Sequence, residues 1–198
     1  NMLLACGSAG GIAATFNTPV GGVLFGMEVI LREFKTRSFI PIVVSSVMAT
    51  AVSRAILGNN PSFTPPPYTL VSPVELVFYL ILGCAAGFIA IVEILSLTKM
   101  GKLFDRLNIH PVMLPALGGL IVGAVGIFYP EIFGVGYETI DHALRENIAW
   151  EIAFMLIFVK IFTTSATLGT RGSGGVFAPS LFIGCMSGYT LGYLFHMA

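Results

Sequence analysis

Long stretches of this chain are apolar and almost bare of charge, and that feature decides the solvent it folds in. Residues 2–27, 112–129 and 176–195 contain no Asp, Glu, Lys or Arg; 39–57 contains only Arg54, and 148–168 only Glu151 and Lys160. Water cannot accommodate so much exposed apolar side chain. Hydrophobic residues are 56% and charged residues 10% of the 198, where a soluble domain carries about 25% charged. Ten basic residues balance ten acidic ones, which excludes a basic nucleic-acid binder, an acidic solvating tail and a disordered chain. A mean hydropathy of +0.90 identifies the solvent as lipid. In lipid every backbone group must be satisfied within the protein, and runs of this length do so as helices. The chain is expected to be an all-α, polytopic membrane helix bundle, integral and multi-pass, in a bacterial-type inner or plasma membrane.

Local signals divide the runs. Asn17-Thr18-Pro19 interrupts the first, with Thr18 a cap and Pro19 suited to a first turn, so one helix ends near Phe16 and another runs from Pro19 to about Leu31. Gly58-Asn59-Asn60-Pro61 stops the 39–57 run, and a Pro65-Pro66-Pro67 loop follows. Ser72-Pro73-Val74-Glu75 has the form of a capping box and opens a long helix to about Met100. The count is roughly seven embedded helices, with a short one near Tyr137 to Arg145. Loop charge gives an orientation: 32–37 and 99–110 are basic, 59–72 is uncharged and 129–147 is acidic, so the basic pair is expected on the cytoplasmic side. The opening residues lack the basic region of a signal peptide, and both ends read as lying inside a larger membrane domain.

Glycines recur four apart at Gly7/Gly11, Gly22/Gly26, Gly83/Gly87, Gly119/Gly123 and Gly184/Gly188/Gly192. Such spacing puts small residues on one helix face, where they are expected to pack against neighbouring helices. Cys6, Cys84 and Cys185 match no metal or disulfide pattern and are expected as small buried hydrophobes. His110, His142 and His196 show no metal-binding spacing, and no cofactor is expected.

Chemistry is concentrated in Gly169-Thr170-Arg171-Gly172-Ser173-Gly174-Gly175-Val176-Phe177-Ala178-Pro179. A helix starting near Phe177 has first-turn N–H groups outside its own ladder, and these together with the helix dipole suit an anion. Glycine lets an ion approach the backbone. On this physics alone an anion site and an ordinary loop between helices fit equally well. Thr18-Pro19-Val20-Gly21-Gly22 offers a second interrupted helix, and two such breaks point to a transporter or channel.

Gly174-Gly175-Val176-Phe177-Ala178-Pro179 resembles the Gly-x-Phe-x-Pro anion-binding motif of the CLC chloride channels and chloride/proton antiporters. Its flanks, Lys160-Ile161-Phe162-Thr163-Thr164-Ser165 and Ser180-Leu181-Phe182-Ile183-Gly184, are similar to the same family, as is the stretch from Gly7 to Glu28. The resemblance implies an inverted-repeat fold of broken, tilted helices and a homodimer with one ion pathway per subunit, joined through helices near 19–31 and 39–57. Residues 1–198 would then be a partial transmembrane domain, the end of the first inverted half and the start of the second, with no soluble domain. The anion would meet backbone N–H groups and adjoining wall at Gly175, Val176, Phe177, Ala178 and Pro179. The family's gating-glutamate segment, its Gly-Ser-Gly-x-Pro segment and its pore tyrosine are absent from these residues. Glu28 and Val29 align with the carboxylate pair of proton-coupled members. Valine at the relay position carries no proton, which favours passive chloride conduction over chloride/proton antiport.

Other charges have plainer readings. Glu28 is expected to pair with Arg32 at the i,i+4 spacing. Lys160 reads equally as a structural partner of a carbonyl or carboxylate and as a source of attraction for anions. Glu93 is expected to snorkel toward the basic end of its helix near Lys99, and Arg171 to concentrate anions near an entrance. Fluoride or nitrate in place of chloride fits the same backbone chemistry. An intramembrane hydrolase using Ser8 or Ser173 is the remote alternative, since no histidine falls within an apolar helix to serve either. The expected partners are chloride, the bilayer and a second copy, with no nucleic acid and no enzymatic activity.

Overall fold

The computed structural model describes residues 1–59, 72–73, 75–107, 109–145 and 147–197. Its helices are α1 (Met2–Phe16), α2 (Pro19–Phe25), α3 (Thr36–Leu57), α4 (Glu75–Asp105), α5 (Leu114–Phe128), α6 (Tyr137–Leu144), α7 (Trp150–Gly169) and α8 (Phe177–Met197). There is no strand among the described residues. Helices α3, α4 and α7 are long and apolar enough to cross a membrane. The expected Pro65-Pro66-Pro67 loop and the acidic Glu146 lie outside the described residues. The chain forms two compact units, Asn1–Thr64 and Pro65–Ala198.

In the first unit the break falls where the sequence puts it. Asn17 turns into the left-handed region at φ 55° and ends α1. The Thr18 hydroxyl then accepts from the Gly21 N–H at 3.3 Å, with Pro19 at the first helical position. Helix α2 runs on through a π-helical turn, Gly26–Leu31, which Arg32 closes at φ 56°. Packing follows from side-chain size. The buried residues of α1 are Ala5, Ala9, Gly10 and Ala13, and those of α3 are Ser38, Ile42, Ser46 and Thr50. Both sets lie on one face of their helix, and small side chains bring the two backbones close enough for hydroxyl-to-carbonyl bonds. Ser45 Oγ donates to Cys6 O at 2.8 Å, Ser46 Oγ to Pro19 O at 2.6 Å and Ser53 Oγ to Ala14 O at 3.1 Å.

The second unit is built around α7. Its buried face includes Leu156, Ile157, Lys160, Ile161, Thr164 and Gly169, and it packs against α4, α5 and α8. Glu75 reaches back to the Ser72 N–H at 3.2 Å to open α4, the carboxylate half of a capping box. Helix α4 passes through Gly101 to Asp105 instead of stopping near Met100. A single helical glycine costs only about 1 kcal/mol, and Gly169 of α7 packs directly on the Met100–Gly101 backbone.

The glycine expectation holds in part. A Cβ on Gly22 would overlap the Ala9 carbonyl oxygen, and one on Gly26 would come within 3.1 Å of Ala5 O. The other four-spaced glycines, including Gly83/Gly87 and Gly119/Gly123, meet nothing within 4 Å among the described residues. Close packing in α5 falls one residue earlier, at Gly118 against Thr170. Spacing establishes that two glycines share a face; it does not say which face meets a neighbour. The cysteines depart from expectation likewise: Cys84 is exposed, and Cys6 and Cys185 are half-buried.

Candidate functional site

The Gly-rich segment is a genuine interruption between α7 and α8. Helix α7 closes with Thr170 N–H on Ala166 O and Arg171 N–H on Leu168 O, both at 3.0 Å, and Arg171 takes φ 62°. Gly172 N–H then returns to Thr167 O at 2.8 Å. A Cβ on Gly172 would itself stand 2.8 Å from that oxygen, so this turn needs glycine. Residues 172–176 are non-helical. Helix α8 opens at Phe177, and its ladder begins with Ser180 N–H on Val176 O at 3.0 Å. Pro179 contributes no N–H to the first turn.

Four of the five residues singled out in the sequence divide between two cavities beside the break, and Phe177 lines neither. Gly175, Ala178 and Pro179, with Gly174, line a cavity of about 380 Å³ together with Lys160 and Thr164 of α7. Val176 lines a second cavity, about 420 Å³, with Glu93 of α4 and Ser180. Val176 and Phe177 are 42% and 43% exposed.

Lys160 is 3% exposed and fully engaged. Its Nζ donates to Ile132 O at 2.7 Å and Gly134 O at 3.1 Å, and lies 4.8 Å from the centre of the Phe182 ring. Two carbonyl dipoles and a ring quadrupole surround the buried amine, with no acidic partner among the described residues. The strand of chain that offers those carbonyls is shaped by a 3₁₀ turn, Pro130–Ile132, and by Gly134 at φ 62°. Lys160 therefore pairs with carbonyls beside the cavity. Two threonines of α7 turn their hydroxyls onto their own helix: Thr163 onto Val159 O at 2.9 Å and Thr167 onto Thr163 O at 2.8 Å. Lys160, Thr163, Thr164 and Thr167 share the cavity wall at spacings of three, four and seven residues, a polar stripe whose periodicity the motif reading did not use.

Three expectations are corrected. Glu93 does not snorkel: it is 7% exposed and receives the Ser180 hydroxyl at 3.2 and 3.4 Å. Glu28 makes no ion pair with Arg32 among the described residues. The segment is π-helical there, so i,i+4 side chains no longer stack, and Arg32 has already left the helix. Arg171 is not an uncompensated charge, because Asp105 holds it at 3.0 Å. Val29 is 52% exposed. In the connection before α3, Lys35 and the Ser38 hydroxyl both bond Glu33 and hold its carboxyl below the usual range. Ser173 lines the cavity with Lys160, and no histidine lines it among the described residues.

A chain that is helical throughout its described elements, with three helices long and apolar enough to span a bilayer, is an integral, multi-pass membrane protein. It belongs to the voltage-gated chloride channel, or CLC, family, whose model matches residues 1–198. Relatives are a putative chloride channel protein ClcB-like from Ralstonia nicotianae, 33% identical over 98% of this chain and 46% of its own length. Another is the chloride channel protein CLC-f of Arabidopsis thaliana, 35% identical over 96% of this chain and 26% of its own. The H(+)/Cl(-) exchange transporter ClcA of Vibrio vulnificus is 32% identical over 96% and 42%. The chain thus spans less than half the length of these relatives.

Proposed function

We propose that the protein carries chloride across the membrane by passive conduction, with the backbone of Gly175, Val176, Phe177, Ala178 and Pro179 as one contact for the ion. The observation that carries this reading is the break at 172–176, which opens the first turn of α8 onto the cavity walled by Lys160. Dipole-end amides and a cation already engaged by carbonyls attract a halide without a fixed ion pair, so the ion can also leave. Passive conduction rests on Val29, which cannot hold a proton where proton-coupled members carry a carboxylate. The relatives are named both as channels and as exchangers. The same contact would take fluoride or nitrate.

The working unit in this reading is a homodimer, and the chain spans parts of two inverted halves. Support comes from the two compact units and from the apolar outer faces of α2 and α3, where Val20, Leu24, Ile40, Val44 and Met48 are half or more exposed. Chloride efflux from liposomes holding the full-length protein, with and without a pH gradient, is the test. Efflux independent of the gradient is expected. Absence of chloride flux would overturn the function, and uphill chloride movement driven by protons would replace the channel with an antiporter.

A further inference from the structure

Glu93 is the only buried acidic side chain among the described residues, and the conduction reading makes no use of it. Its partner is the Ser180 hydroxyl, which also lies 2.9 Å from Val176 O. A hydroxyl has one proton to give. If Ser180 donates to Val176 O, the contact with Glu93 is attractive only when Glu93 carries a proton and donates it to Ser180 Oγ. If Glu93 is ionised, the hydroxyl must leave Val176 and turn to the carboxylate. Val176 is the residue whose carbonyl accepts the first ladder bond of α8.

We propose that Glu93 is a proton-binding site linked to anion occupancy at the start of α8, with the Ser180 hydroxyl as the connection between them. The inference rests on the anion contact proposed above and deepens it. A carboxylate beside the first turn of α8 neutralises the positive end of the helix dipole and repels an anion there. With a proton taken from solvent onto Glu93, that repulsion vanishes and the hydroxyl settles on Val176. By linkage the anion must favour the proton as much as the proton favours the anion.

The surroundings leave Glu93 alone to respond. No other charged side chain lines its cavity among the described residues. On α7, packed against both α4 and α8, the charges are Glu151, which is exposed, and Lys160, which is committed to Ile132 and Gly134. On α8 the titratable groups are Cys185, Tyr189, Tyr193 and His196; Tyr189 donates to Ile148 O at 2.6 Å, and His196 lies at the far end of the helix. On α4 itself Glu75 stands at the opposite end, and Lys99 is exposed and about 240° round the helix from Glu93 at roughly 100° per residue.

The test uses the full-length protein in detergent, with chloride as the probe. Chloride affinity is followed by calorimetry across about pH 4 to 8, and proton uptake on chloride addition is read in weak buffer. Affinity is expected to rise on acidification by roughly 5- to 20-fold. Glu93→Gln should keep the acid-side affinity at every pH and take up fewer protons, and Ser180→Ala should bind chloride with a weakened pH dependence. A Glu93→Gln protein with the unaltered pH profile and uptake overturns the inference while leaving the anion contact standing. Absence of chloride binding in the unaltered protein overturns both. Should Glu93→Gln fail to fold, infrared difference spectra on chloride addition decide. A protonated-carboxyl band that moves in Ser180→Ala supports the inference, and its absence overturns it.

Discussion

Lys160 is a full charge in an apolar helix, and its environment explains how it survives there. Two backbone carbonyls and the Phe182 ring surround Nζ, so its removal strands two acceptors but also relieves a buried cation. Lys160→Met is expected to lose about 1–3 kcal/mol of stability and to bind chloride more weakly; thermal unfolding in detergent reads the first, and an unchanged midpoint would refute the structural pairing. Glu33 behaves differently because it is exposed. Lys35 and Ser38 depress its carboxyl, so their stabilisation is present above the unfolded carboxylate value and fades as pH falls through the depressed one. Ser38→Ala should move the Glu33 titration back up toward the ordinary range, as carboxyl NMR would register; a midpoint that does not move would show that the hydroxyl bond is not formed. The pair adds little to stability and is screened by salt.

At the scale of elements, the chain's punctuation was readable and its faces were not. Asn17-Thr18-Pro19 and the 170–176 stretch break helices for reasons contained in the residues themselves: a left-handed turn, a capping hydroxyl, a proline in the first turn and a glycine under a carbonyl. The glycine stripes lacked that self-sufficiency, because contact depends on a second helix. Gly22 and Gly87 make the contrast measurable. Gly22→Ala drives a methyl into the Ala9 carbonyl oxygen and should cost about 1–3 kcal/mol. Gly87 meets nothing within 4 Å, so Gly87→Ala should gain about 0.5–1 kcal/mol from helix propensity. Unfolding in graded denaturant compares the two; equal effects would mean that the α1–α2 approach is looser than described. Glu28 teaches the same lesson in miniature, since a π-helical turn, invisible in residue spacing, separates it from Arg32.

At the scale of the molecule, the outer surface is dominated by large apolar side chains, among them Leu80, Leu120, Ile127 and Phe128 at 70% exposure or more. Lipid and further protein are the media that tolerate such a surface. On α3 the exposed apolar residues Ile40, Val44, Val47 and Met48 form the face proposed for the homodimer. Val44→Cys in the full-length protein should therefore cross-link two copies in membranes under oxidising conditions. Monomer alone on a non-reducing gel would reject this face as the dimer contact.

Membrane residence, helix number and the position of the break before Phe177 were determined by the sequence alone, because hydropathy, capping and glycine conformation act within a few residues. Tertiary structure decided what those residues face. It brought Lys160 of α7 onto the carbonyls of Ile132 and Gly134, set Asp105 against Arg171, and buried Glu93 of α4 beside Ser180 of α8. Each of those pairings joins positions far apart in the chain, and a charge in lipid takes its role from whichever dipole or hydroxyl the packing delivers to it.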